Sequence, residues 1–179
     1  WFFEPGFFGF SENYGVKPPA ATEEALRQEW FTFGGYSKQQ PYYTRITSIY
    51  ALRDDVKPFI RSYFNTFPLS LSSETLAFWE QPPGLPAWGK THETGWFLEA
   101  TRLMFVMERG DALWLAPFVT SKWLKDGQHI AISSAPTRFG NVSYCIESHA
   151  DEGYIEADVK PPARNAPREL VIRLRHPDG

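Results

Sequence analysis

The residues best suited to chemistry lie in one short stretch. Ser73-Glu74-Thr75-Leu76-Ala77-Phe78-Trp79-Glu80 runs into a segment holding Pro82, Pro83, Gly84 and Pro86, then into Lys90-Thr91-His92-Glu93-Thr94-Gly95-Trp96. An inverting glycosidase holds a carboxylic acid on one side of the scissile bond and a carboxylate roughly 6.5 to 9.5 Å away, with water between them. Glu80, at an expected helix end and flanked by Trp79 and a stiff loop carrying Trp88, is a candidate for one of that pair. Indole rings are flat apolar plates with a polar edge, which suits the faces of sugar rings. Trp79 and Trp88 are therefore expected to border an open cleft with Glu80. The competing reading makes Glu80 a solvated loop glutamate or the partner of a nearby arginine.

Other residues are weaker candidates. Glu74 and Glu93 stand near helix starts, where a carboxylate favours the helix dipole whether or not it does chemistry. Tyr42, Tyr43 and Arg45 follow Pro41 at an expected helix start and are candidates to line a pocket; Arg45 pairs equally well with Asp54 or Asp55. His92 reads either as a site residue or as a satisfied core histidine. The four histidines, His92, His129, His149 and His176, share no ligand spacing, so no metal site is expected. The sequence holds no phosphate loop, dinucleotide fingerprint, nucleophile elbow or helical two-histidine zinc motif, and no cofactor is expected. Cys145 is the single cysteine, which excludes an internal disulfide and leaves the compartment open.

The stretch from Ser73 to Glu80, the following loop and His92 resemble a segment of the α-L-rhamnosidases and their relatives. The catalytic domain of that family is a toroid of six helical hairpins. Gly110-Asp111-Ala112-Leu113-Trp114-Leu115-Ala116-Pro117 resembles the family's exit from the barrel into its C-terminal β-sandwich. The likeness covers roughly residues 40–179. It implies that Glu80 is the carboxylate acting as general base on water and that His92 is the histidine at the start of the last barrel helix. One departure is that Gly89-Lys90-Thr91 stands where the family usually has Ser-Leu-Asn.

The elements that must position these residues can be read along the chain. Hydrophobic residues make up 42% and charged residues 22% of 179, a composition that supports a packed core. The net charge of -3 gives no reason to expect nucleic acid as partner, and no apolar run reaches the roughly 20 residues of a membrane span. Trp1 to Ala21 lacks any period and reads as a loop. Thr22 caps a helix that ends near Gly34-Gly35, and a second helix is expected over Thr44 to Ala51. A third is capped by Asp54 or Asp55, tolerates Pro58 in its first turn, carries Val56, Phe59, Ile60, Tyr63, Phe64 and Phe67 at helical spacing, and is expected to stop at Pro68. A fourth begins after Thr91 and is expected to run to Gly110.

Beyond Ala112 the period turns from helical to alternating. Ile130 and Ile132 alternate with small or polar neighbours, as do Val142, Tyr144 and Ile146, then Ile155, Ala157 and Val159, then Leu170, Ile172 and Leu174. Turn residues separate these runs, the pattern of an antiparallel sandwich.

The expectation is therefore the final helices of an (α/α) six-hairpin barrel over residues 1–110, followed by an antiparallel β-sandwich over 111–179. Aromatic residues on more than one face of the helical half lead us to expect further polypeptide around it, the remainder of the same enzyme. The expected activity is hydrolysis of a polysaccharide or oligosaccharide, with the general acid supplied by an earlier segment. A carbohydrate-binding module and a polysaccharide lyase are the alternatives. A lyase pocket would centre on Tyr, His or Arg rather than on Glu80.

Overall fold

The computed structural model describes residues 46–70, 76–78 and 91–175, with positions 46, 65–70, 92 and 93 described by their backbone alone. The chain divides into two compact units, Trp1–Thr101 and Arg102–Gly179.

In the first unit, α1 (Ile46–Leu52) and α2 (Val56–Ser70) form a tight helical pair, and α3 (Thr91–Phe105) begins. Leu52 ends α1 because the chain reverses through Arg53-Asp54-Asp55. Asp54 takes the left-handed region at φ 62, which a short polar side chain tolerates better than most. The Asp55 carbonyl accepts the Phe59 N–H at 3.0 Å and so starts α2, whose Pro58 falls in the first turn, where no helical donor is lost. Residues Thr47 to Ala51 are buried on every side of α1. Their hydroxyls are satisfied: Thr47 Oγ1 and Ser62 Oγ lie 3.0 Å apart, and Ser48 Oγ donates to Glu99 Oε2 at 3.1 Å. The buried stripe of α2 is Phe59, Ser62 and Tyr63, while Phe64 remains 40% exposed.

The second unit holds the last turn of α3 and six strands in two sheets. β1 (Val106–Arg109) and β2 (Ala112–Leu115) form a hairpin around the two-residue loop Gly110-Asp111, with Gly110 at φ 54. β6 (Glu169–Ile172) pairs with the other edge of β2 in parallel, Ala112 opposite Glu169 and Leu115 opposite Ile172. The second sheet is an antiparallel meander of β3 (His129–Thr137), β4 (Gly140–His149) and β5 (Tyr154–Lys160). A bulge between Ile132 and Ala135 places Ser134 at φ 53, where its N–H donates to Ser143 Oγ at 2.8 Å. Both sheets contribute to one apolar core, with Val106, Leu113 and Leu115 from the first and Ile130, Val142, Tyr144 and Ile146 from the second. Phe105 and Trp123 stack at 5.8 Å beside it.

Four expectations need correction. Among the described residues there is no barrel of helical hairpins: there are three helices, followed by two small sheets of three strands each. The sheets are not one antiparallel sandwich either, because the β2–β6 pair is parallel. Two helix ends also move. α2 runs past Pro68 to Ser70, since a proline removes one N–H and crowds one turn but leaves the final residues free to stay helical. α3 ends at Phe105 rather than Gly110, because Val106–Arg109 gains a full ladder with β2.

The Phe105 carbonyl accepts two hydrogen bonds, from the Ala116 N–H at 2.8 Å and the Tyr144 hydroxyl at 2.9 Å. Burial pushes the Tyr144 phenol well above its ordinary range, opposed by the nearby Ala116 amide. A raised phenol pKa means that the fold favours the neutral form. Its contribution is complete below the unfolded value of about 10 and is lost as pH rises above that. Tyr144→Phe is expected to cost about 1 kcal/mol at neutral pH, the net value of one hydrogen bond, and to flatten the alkaline loss. Denaturant unfolding of the whole chain near neutral pH and again above pH about 10 tests this. An equal alkaline loss in both proteins would contradict it.

Candidate functional site

Of the residues that the sequence nominates, His92 is described by backbone only: it is the second residue of α3. Trp79, Glu80, Trp88, Tyr43 and Arg45 lie outside the described residues. The structure therefore describes what surrounds the candidate site in sequence, and that surrounding is an aromatic scaffold.

Phe78 is the residue immediately before Trp79 and Glu80. It is 2% exposed, and its ring centroid is 4.6 Å from that of Phe97 on α3. Phe97 in turn stacks on Tyr63 of α2 at 5.6 Å, and Tyr63 lies parallel to Phe59 at 6.2 Å. Apolar rings in such offset arrangements hold their elements in register. Two residues upstream, Leu76 takes the left-handed region at φ 55 and is 73% exposed. A branched side chain there costs on the order of 1 kcal/mol, which the burial of Phe78 two positions later offsets.

In sequence, Glu80 follows Phe78 by two positions. His92 precedes Phe97 by five residues, about 7.5 Å along the helix axis. Phe78 packs against the same helix on which His92 sits.

The hydroxyl groups of the scaffold are paired. Tyr63 Oη and Thr101 Oγ1 lie 2.8 Å apart, and Thr101 donates to the Phe97 carbonyl at 2.8 Å. Burial pushes the Tyr63 phenol above its ordinary range, so it serves there as a neutral group. Arg53 pairs with Asp55 at 2.8 Å.

In the second unit, Glu108 accepts from Arg102 at 3.0 Å and lies 3.6 Å from Arg138, an ion-pair group at the sheet margin. The indole of Trp114 has the guanidinium groups of both Arg109 and Arg173 at 4.6 Å from its ring centroid. Arg109 comes from β1 and Arg173 from just past β6, so the two cations reach Trp114 from the strands on either side of it. Among the described residues no group of His, Cys, Asp and Glu is arranged to hold a metal ion, and no helix is long and apolar enough to cross a membrane.

Sequence periodicity does not mark Phe78, Phe97 and Tyr63 as a connected set. Phe97 and Tyr63 stood out only as periodic core residues of separate helices, and Phe78 has no periodic neighbours to mark it. Comparison of the chain with protein-family models, curated proteins and solved structures finds no match.

Phe78→Ala is expected to cost about 3 to 5 kcal/mol, the range for truncating a buried phenylalanine. Phe78→Leu should recover much of that loss. Chemical denaturation checks it, and a loss under about 1 kcal/mol for the alanine variant would show that Phe78 does not anchor the segment.

Proposed function

We propose that this chain is part of a glycoside hydrolase acting on a polysaccharide or oligosaccharide, similar to the α-L-rhamnosidases. In this reading Glu80 is the general base that deprotonates the attacking water, and His92 orients the sugar or the carboxylate. Trp79 and Trp88 give the sugar its flat contacts, Tyr43 and Arg45 line the pocket, and the general acid comes from polypeptide outside this chain. The reaction is inverting: water attacks the anomeric carbon on the face opposite the leaving group, Glu80 takes its proton, and the acid protonates the departing oxygen.

The observation that supports the reading is the contact of Phe78 with Phe97, at 4.6 Å between ring centroids. A general base must be held to within a fraction of an ångström of its working position, which rigid neighbours achieve better than a free loop. Phe78, two residues before Glu80 in sequence, is buried and packed against Phe97.

The test uses the whole enzyme. Glu80→Gln keeps the shape of the side chain and removes the proton acceptor. It should lower kcat by about 10²- to 10⁴-fold with little change in KM. Glu74→Gln is the control, and His92→Ala should have the milder effect of losing an orienting group. Equal, small effects of Glu80→Gln and Glu74→Gln would make Glu80 a solvated residue and end the assignment.

A further inference from the structure

The outer face of the second sheet carries an aromatic pair that the proposed reaction does not use. Strand register puts His129, Cys145, Glu147, His149, Tyr154, Glu156 and Asp158 on this face, away from the core residues Ile130, Tyr144 and Ile146. Tyr154 is 48% exposed, yet its ring is not free: it stacks on His149, with centroids 4.6 Å apart and planes 21° from parallel. These two residues are directly opposed where β4 meets β5, across a short 3-10 turn closed by Gly153 at φ 84. One face of the phenol ring is backed, and the ring's orientation is set before any ligand arrives, which lowers the ordering cost of binding.

The next pair along the same face is Glu147 opposite Glu156. It lies about 7 Å from the aromatic pair, two residues of strand rise. Like charges directly opposed across a ladder are unfavourable, and among the described residues neither carboxylate makes an ion pair. Glu147 also has His129 directly opposite it on β3, and its Oε1 accepts from the Cys145 thiol at 4.0 Å, while Glu156 makes no hydrogen bond or ion pair among the described residues. The two glutamates supply hydrogen-bond acceptors within one sugar ring's reach of an aromatic plate. Asp158 continues the acidic row, and Lys160 is the one ammonium on β5, so the face repels anionic polymers.

The geometry points to a saccharide-binding surface on this face for a neutral glycan, with Tyr154 as the stacking plate, His149 as its backing, and Glu147 and Glu156 accepting from sugar hydroxyls. It stands on the geometry of this face and does not depend on the role of Glu80. In an enzyme acting on a polymer, such a surface raises the local concentration of chain near the catalytic site.

Affinity electrophoresis of the whole chain through gels containing galactomannan, xyloglucan or arabinoxylan, with polygalacturonate as the anionic comparison, tests the surface. The expected result is retardation by at least one neutral polymer and none by polygalacturonate. Tyr154→Ala should weaken it by about tenfold, the order of effect of one lost aromatic contact, while Tyr154→Phe keeps it. Glu156→Gln should weaken it to a lesser degree. Because Tyr154 is exposed, an unchanged melting temperature will verify that the alanine variant is folded. Failure of every neutral polymer to retard the chain, or equal retardation of Tyr154→Ala and the native protein, overturns the inference. Binding of poly-L-lysine alone also overturns it, in favour of a basic peptide. The hydrolase reading is tested separately, because Glu80→Gln should leave retardation intact and Tyr154→Ala should leave hydrolysis of a short oligosaccharide intact.

Discussion

The β unit is organised around the carbonyl oxygen of Phe105. This one acceptor, at the end of α3, receives the N–H of Ala116 and the hydroxyl of Tyr144, so both of its lone pairs are used. Ala116 follows β2 in the first sheet, and Tyr144 stands on β4, the central strand of the second. The arrangement requires Ala116 to occupy the left-handed region at φ 54 while fully buried. That strain, on the order of 1 to 2 kcal/mol, is held in place because both the preceding ladder and the following residues, Pro117 to Val119, are buried. A helix end, two sheets and a strained turn are thus fixed by the same oxygen, and the apolar core closes around them.

In the first unit, aromatic rings play the corresponding role. Phe78, Phe97, Tyr63 and Phe59 connect three segments that are far apart in sequence, and the hydroxyls of Tyr63, Thr101, Thr47 and Ser62 are satisfied among themselves or by nearby carbonyls. A buried hydroxyl without a partner costs about 1 to 3 kcal/mol, so the pairing of each one removes a penalty that would offset much of what the rings gain. The abundance of aromatic residues is thus partly structural: these rings are core. The exposed stack of His149 and Tyr154 belongs to a different category, because its outer surface faces water.

What the sequence made legible was local. Alternation at Val142, Tyr144 and Ile146 marks the inward side of β4, and Ile130 marks that of β3, because a half-buried strand repeats every two residues. The cap and early proline at Asp55 and Pro58 mark the start of α2 for equally local reasons. Pairings between distant residues were hidden. The parallel match of Ala112 with Glu169 joins positions far apart in the chain, and no local pattern in either strand encodes the partner or its direction. The same gap explains the misplaced end of α3: Val106–Arg109 suits a helix by composition, and only the ladder with β2 makes it a strand. For the site, residue type and order nominated Glu80 and His92, but the ring contact that ties Phe78 to Phe97 depends on tertiary packing and left no mark in the spacing.

In the proposed function, Glu80 works on water at a glycosidic bond. The most direct measurement is a crystal structure of the whole enzyme with an oligosaccharide product across the cleavage point. The account predicts the Glu80 carboxylate within hydrogen-bond distance of a water below the anomeric carbon, and a second carboxyl group roughly 6.5 to 9.5 Å away beside the leaving oxygen. A sugar bound with Glu80 turned away from it, or bound nowhere near α3, would contradict the account.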